Sequence, residues 1–297
     1  MSSATAQQLN TFDKSLFADA YLESGWPQNL NLDIEVITGL SCRLRLPYSD
    51  DINNGTNSIH GGIIASSMHD AALMLATHVF RDQAELVVRA IDFQISFLRA
   101  AKRTDLFIEA KLSRSSKRIA FINVVATDRN GQIVASVNGC FGTWEDESTS
   151  QVSQEIIRPL LTRSVSDHPL KQMMCTMIDS KIPGMALEEM GEGFCKMSLE
   201  NIEHYQNQHG DIAPGALLTL VDNVGAFASL AAISAFGMGS TVDLKLTMCD
   251  TAKNEGVIGV AEAMSCRGSQ LSSRVSLVAE KSKKLIGFGT VSLWVKF

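Results

Sequence analysis

Apolar positions along the chain recur with two periods, and the order of those periods is written twice. From Phe12 to Glu23, the residues Phe12, Leu16, Ala20 and Tyr21 fall at helical spacing, and Gly25, Trp26 and Pro27 are expected to end that helix. Alternation then predicts two short strands, Leu32 to Thr38 and Ser41 to Leu46, parted by a turn at Gly39, and a polar loop from Ser49 to Ser58. A long, largely apolar helix runs from His60 to about Val79. Four strand-like runs follow: Val87 to Leu98, Asp105 to Ser113, Arg118 to Thr127 and Ile133 to Trp144. Their turns carry Lys102/Arg103, Ser115/Ser116 and Asn130/Gly131, the last a strong hairpin signal.

The stretch Glu145 to Ser153 is acidic, Ser-rich and without apolar period, as a linker would be. The same order then returns. A helix is expected over Asp167 to Ile182 with Asp167 as its N-cap, then strands at Met185 to Met190 and Phe194 to Leu199, a polar loop from Glu200 to Ala213, and a helix from Pro214 to about Phe236. Four strands close the chain: Thr241 to Met248, Val257 to Cys266, Gln270 to Glu280 and Leu285 to Val295. The register barely drifts between halves. Asn54 aligns with Asn207 and Gly62 with Gly215 at an offset of 153, Asp92 with Asp243 at 151, and Trp144 with Trp294 at 150. Duplication of one unit follows, with domains at 1–146 and 167–297 and a linker at 147–166.

The segment Ile212 to Phe236 is long enough to suggest a membrane span, which needs about 20 apolar residues. Asp222 and Asn223 sit near its middle, where a bilayer would make them costly, and Pro214 suits a first helical turn. A core helix wrapped by a sheet is the expectation.

Composition narrows the class. The chain has 297 residues, 45% hydrophobic and 20% charged, enough to bury two cores of ordinary size. A formal net charge of −6 and the lack of an aromatic-interleaved basic stripe argue against nucleic-acid binding. The six cysteines, Cys42, Cys140, Cys175, Cys195, Cys249 and Cys266, match no metal-ligand spacing and read as reduced core residues. The first fifteen residues have neither the basic start nor the apolar run of a secretory signal, so a cytoplasmic protein is expected.

The start of each central helix carries a motif. The first half reads NGTNSIHGGIIASSMHDAALMLA from Asn54 to Ala76, and the second NQHGDIAPGALLTLVDNVGAFASLA from Asn207 to Ala231. The pattern of Asn, a short loop, His-Gly-Gly and an acidic residue seven positions after the second Gly resembles the phenylacetate-type branch of the hotdog thioesterase superfamily. The resemblance implies an α+β architecture of two tandem hotdog domains, each a long central helix wrapped by an antiparallel sheet, with the sheets joined edge to edge. It implies hydrolysis of an acyl-coenzyme A thioester, with coenzyme A arriving as part of the substrate and no further cofactor or metal. It also implies active sites that span two units, each taking its Gly and Asn from one unit and its acid and hydroxyl from the other.

Two sites can therefore be compared. Site one combines Asn54, His60, Gly61 and Gly62 with Asp222 and Thr241, and every position is filled with suitable chemistry. Site two combines Asn207, Pro214 and Gly215 with a first domain that has His69 at the acid position, Asp70 displaced by one, and Ala90 at the hydroxyl position; Ala213 and Pro214 replace the His and first Gly. Site one is the expected catalytic site and site two a degenerate or altered one.

Thioester hydrolysis passes through an oxyanion, and a helix start offers unpaired amides and a favourable dipole there. The Gly62 amide is the expected donor, and its missing side chain lets the carbonyl approach. Asp222, in an apolar helix, is the expected general base on water or direct nucleophile; the sequence leaves that choice open. Asn54 would orient water or thioester, Thr241 would hold the attacking water, and His60 would order the loop. Arg114, Lys117 and Arg118 in one hairpin, and Arg267 in its counterpart, are candidate contacts to coenzyme A phosphates, although solvated turn charge fits equally. His69 and His78 read as buried or rim histidines.

Two rival functions stay in view. One is a hotdog dehydratase or hydratase, suggested by HGDIAPGALL from His209 to Leu218, although Leu220 stands where that family carries its acid. The other is a non-catalytic acyl-CoA sensor. Hotdog units commonly pair further, so a dimer of double-hotdog chains is expected. The acyl group depends on how Met68, Leu73, Met74 and Phe227 pack.

Overall fold

Alternation in the sequence becomes alternation in space. The computed structural model describes residues 25–54, 57–83, 86–144, 161–179, 182–233 and 238–296. Within it, Ala120, Ile122, Val124 and Ala126 turn one face of a strand into the core, while the residues between them face outward or lie half-exposed. The expected helix at Phe12 to Glu23 and most of the expected linker lie outside the described residues.

The first unit comprises α1 (Gly25–Asn29), β1 (Asp33–Ile37), β2 (Ser41–Leu46), α2 (Gly61–Val79), β3 (Val87–Phe97), β4 (Leu106–Ser115), β5 (Ile119–Thr127) and β6 (Ile133–Trp144). The second comprises α3 (Lys171–Asp179), β7 (Met185–Gly191), β8 (Phe194–Leu199), α4 (Pro214–Ile233), β9 (Met238–Met248), β10 (Val257–Arg267), β11 (Gln270–Ala279) and β12 (Leu285–Lys296). All strands join one antiparallel sheet in the order β1-β2-β4-β5-β6-β3-β9-β12-β11-β10-β8-β7. Read inward from its two ends, the sheet has the same order in both halves. Two hotdog units are thus joined edge to edge through β3 and β9.

That junction has its own chemistry. Asp92 lies opposite Thr247 and Asp243 opposite Ser96 in the register. Thr247 Oγ1 donates to Asp92 Oδ1 at 2.7 Å, and Ser96 Oγ donates to Asp243 Oδ2 at 3.0 Å. The two aspartates aligned in the sequence therefore make reciprocal bonds across the seam, and Lys245 lies 3.4 Å from Asp92.

The central helices α2 and α4 pack against each other inside the sheet. Close approach needs glycine at two places. A Cβ on Gly62 would lie 2.7 Å from Thr219 Cα, and one on Gly215 would collide with Ser66 Oγ. By length and composition α4 would cross a bilayer, but here it is mostly buried, covered by α2, β8, β10 and β11. Burial of Leu217, Leu220, Val221 and Val224, at ~1.5–3 kcal/mol each, outweighs the cost of carrying Asp222 and Asn223 inward. Asn223 meets that cost locally by donating to Thr219 O at 2.8 Å.

Gly25 to Pro27 open α1, since Pro tolerates the first turn, where its missing N–H is no loss; whether they also end the helix expected before them lies outside the described residues. Trp26 then bridges the two units, its amide donating to Gln206 O of the second and its Nε1 to Ser66 Oγ of α2 at 2.6 Å. Two expectations need correction. Asp167 does not cap α3, which begins four residues later; its carboxylate instead pairs with Lys171 Nζ at 2.7 Å. The six cysteines are free thiols as expected, but only Cys42 and Cys195 are fully in the core; Cys140, Cys175 and Cys249 are half-buried, and Cys266 is exposed at the end of β10.

Candidate active site

His60 closes the loop that precedes α2. Its amide donates to Ile52 O at 2.9 Å, and its backbone is extended, so it stands as the N-cap. The cap acceptor is the imidazole: Gly62 N donates to His60 Nδ1 at 3.0 Å. The amide expected to bind an oxyanion is thus held by the neighbouring ring. The Gly61 amide has no partner among the described residues, as expected for a first-turn N–H. Asn54 sits half-buried at the base of the same loop, with its amide donating to Ser58 O at 2.9 Å.

From the second unit, α4 brings Asp222 to this helix start. The Asp222 side chain is only 7% exposed, and Oδ2 lies 3.5 Å from His60 Nδ1. Oδ2 also lies 3.0 Å from where a Gly61 Cβ would stand, so any side chain at position 61 would press on the carboxyl. Oδ1 accepts from Thr241 Oγ1 at 2.7 Å, across from the start of β9. The structure therefore brings together His60, Gly61, Gly62, Asp222 and Thr241, from residues up to 181 positions apart. Phe97 of β3, which the sequence reading did not single out, stands 3.6 Å from that same Gly61 position. As an apolar residue in a strand it carried no chemical signal.

Site two is built differently. Asn207 Oδ1 accepts from the amides of His209 and Asp211, at 2.8 and 3.2 Å, so this side chain folds its own loop. His69, 2% exposed, lies between the rings of Phe93 and Phe141, and its Nδ1 is 3.5 Å from Asp70 Oδ1. Position 213 is Ala, so no side chain caps α4 as His60 caps α2, and the Gly215 amide has no partner among the described residues. A cavity of about 490 Å³ opens here, lined by His69, Ala90, Asn207, Ala213, Pro214 and Leu217 among others. No motif marks it, because a cavity depends on volumes contributed by several elements.

The basic residues divide between the two ends. Arg118 O accepts from Thr143 N, and Lys117 O accepts from Gln83, which lines the cavity, so the hairpin with Arg114, Lys117 and Arg118 lies at the site-two end. Arg267 closes the β10–β11 hairpin, where Ser269 O accepts from Val295 N and Trp294 pairs with Ser240 beside Thr241; it lies at the site-one end. Among the described residues no group of three or more His, Cys, Asp or Glu is placed to hold a metal ion.

Residues 56–135 match the family model described as the thioesterase superfamily. A curated protein of Halobacterium salinarum named "Putative esterase" is 28% identical over 145 residues, which cover 46% of this chain and 95% of that protein. One half of this chain thus corresponds to a whole relative. Among solved structures, the tesB protein of Mycobacterium avium subspecies paratuberculosis aligns with TM-score 0.62 at 12% identity, over 89% of this chain and 96% of the other. Acyl-CoA thioesterase II TesB2 of Mycobacterium marinum aligns with TM-score 0.58 at 12% identity, over 89% and 95%. At such identities these structures bear on the fold, and they share it along nearly the whole double unit.

Proposed function

We propose that the chain hydrolyses acyl-coenzyme A thioesters at the α2 start, with Asp222 as general base or nucleophile. The observation that carries this is the convergence on one carboxyl group: Thr241 on Oδ1, His60 near Oδ2, and a helix start with two glycines beside it. A carboxyl group is costly to bury in an apolar helix, and here it faces the positive end of a second helix where a thioester oxygen would gain charge. In the general-base form, Asp222 takes a proton from water as the water oxygen adds to the carbonyl carbon. The carbon–sulfur bond then breaks, and the proton passes to the departing thiolate. In the nucleophilic form, the carboxylate adds to the carbonyl carbon and expels the thiolate; water then opens the resulting anhydride, giving the free acid, restoring the Asp222 carboxylate and supplying a proton to the thiolate.

Developing negative charge on the oxygen is met at the first turn of α2. The Gly62 amide serves once it exchanges its bond to His60 Nδ1 for one to the substrate, and the Gly61 amide stands beside it. Asn54 orients water or thioester. Arg267 is the basic residue on this side for the coenzyme phosphates. The phenylacetate-type branch, carried by the His-Gly-Gly pattern, belongs to the same reading, as do a cytoplasmic setting and a dimer of double-hotdog chains. Thiol release from acyl-CoAs of graded chain length tests it: turnover that depends on Asp222 is expected, and absence of release across the series would overturn it in favour of a binding protein.

A further inference from the structure

The cavity and the acid lie at opposite ends of the helix pair. The cavity volume of about 490 Å³ falls within the ~300–1,000 Å³ usual for small-molecule sites. Its walls are mainly apolar, with Leu73, Phe80, Leu86, Ile212, Leu217 and Met248 among them. His69 is its most deeply buried polar lining residue, and His69 Nε2 has no hydrogen-bond partner among the described residues. A buried ring nitrogen left without a partner costs ~1–3 kcal/mol, so a ligand that supplies one gains that amount as well as apolar contact.

We propose that this cavity is a second acyl-binding site, one that holds an apolar chain by its carbonyl or carboxyl end without hydrolysing it. The inference rests on the thioester reading given above, and it concerns the other end of the helix pair. Apolar walls select a hydrocarbon chain, and His69 supplies the deepest polar contact to fix its end, with His78 the other buried polar residue of the lining. Arg81 and Arg89 line the cavity as cations, with Asp211 and Asp250 as the acids among its walls. The Asp211 carboxylate already accepts from Asn254 N, and that of Asp250 from Thr251 N.

Hydrolysis is not expected here because the water-activating set is missing. Where Asp222 stands in site one, site two has His69; where Thr241 stands, it has Ala90; where His60 stands, it has Ala213. His69 Nδ1 and Asp70 Oδ1 are 3.5 Å apart, beyond a well-formed hydrogen bond, so Asp70 does not hold the ring as an orienting partner would.

The test is calorimetric titration of the full chain with two probes. One is a ketone analogue of octanoyl-coenzyme A, with a methylene between carbonyl and sulfur; the other is octanoate. Ala252→Trp and Thr77→Trp fill the cavity from the β9–β10 loop and from α2, and His69→Phe removes the nitrogen. The expected result is two classes of binding in Asp222→Asn, of which one is lost in both filled variants and weakens about tenfold in His69→Phe, as one lost hydrogen bond implies. Within the class that filling abolishes, binding of the analogue alone marks a thioester site and binding of octanoate marks a free-acid site; either supports the proposal. Unchanged affinity and stoichiometry in two filled variants with native circular dichroism would overturn it, as would failure of both probes to bind. Thiol release by the unmodified chain is read separately. Turnover without a second class of binding refutes only the second site, and a second class without turnover refutes only the hydrolase.

Discussion

His60 Nδ1 accepts the Gly62 amide at 3.0 Å while standing 3.5 Å from Asp222 Oδ2. One imidazole therefore caps the helix and spaces the acid from it. Two roles for His60 make different predictions. If the ring only caps and spaces, His60→Ala should lower stability by about 1 kcal/mol, the usual value of an N-cap, and reduce turnover less than tenfold. His60→Asn should restore the stability. If the ring were itself the general base, turnover would drop by ~10²–10⁴ in both variants. Denaturant midpoints and kcat measured on the same preparations separate the two, and the capping outcome is expected.

Asp222→Ala is expected to reduce thiol release by ~10²–10⁴, the usual contribution of a general acid or base. Asp222→Asn should do the same while keeping the shape that Thr241 and Gly61 surround. Asp70→Ala should leave most of the activity, because Asp70 lies beside His69 rather than before the His-Gly-Gly helix start. With Asp70 only 1% exposed, its loss will register in stability first. An inactive Asp70→Ala beside an active Asp222→Ala, both folded, would reverse the two sites.

Thr241 is tested through its hydroxyl alone. Thr241→Val keeps the β-branched shape that suits a strand and removes the 2.7 Å donor to Asp222 Oδ1. A buried acceptor left unsatisfied costs ~1–3 kcal/mol, so kcat should fall roughly five- to a hundredfold if the carboxyl must be held in place. Thr241→Ser, which retains the donor, should recover most of that loss. Equal activity in the Val and Ser variants would show that β9 contributes only its backbone.

Much of this architecture was legible in the sequence because its signals were periodic and repeated. Strands such as Ile133–Trp144 and Phe194–Leu199 were readable to the residue, since alternation ends where a turn begins. The pairing of Asp92 with Asp243 was visible as an offset, but its meaning was not. Only the register of β3 against β9 shows that each aspartate finds a hydroxyl on the opposite unit. At the site, motif spacing brought out His60, Gly62 and Asp222, whereas the bond from Gly62 to His60 depends on a side-chain torsion that no spacing encodes. The cavity beside His69 escaped for a related reason: it is the volume left by Leu73, Leu217, Met248 and others, and hydrophobic residues around a void read the same as those around a core. Asp167 misled because a good N-cap residue is also a good partner for a lysine one turn on.

Asp105 ties β2 to β4 in the first unit. Its Oδ1 accepts from Tyr48 N at 3.0 Å, and its Oδ2 from Arg45 at 2.8 Å, with Arg129 at 3.0 Å. Burial by itself would raise the pKa of this carboxyl. The Tyr48 amide and the two guanidinium groups outweigh that effect and bring it from 3.8 down to about 2. A folded-state pKa below the unfolded value means that the charged form favours the folded chain. The stabilisation is complete above pH 4, declines as pH falls from about 4 to about 2, and is gone below the folded-state value. At 1.36 kcal/mol per pH unit, the pH-dependent part amounts to about 2 kcal/mol. Asp105→Asn should therefore unfold more easily than the unmodified chain at pH 7, by about that amount plus a constant offset from the altered hydrogen bonds. Urea midpoints at pH 7, 4 and 2.5 provide the comparison. The difference between the two chains should hold from pH 7 to pH 4 and shrink towards pH 2.5, because Asn cannot be protonated in this range while Asp105 can. A difference that stayed constant from pH 7 to pH 2.5 would mean that packing at the start of β4, and not the two arginines, accounts for what Asp105 contributes.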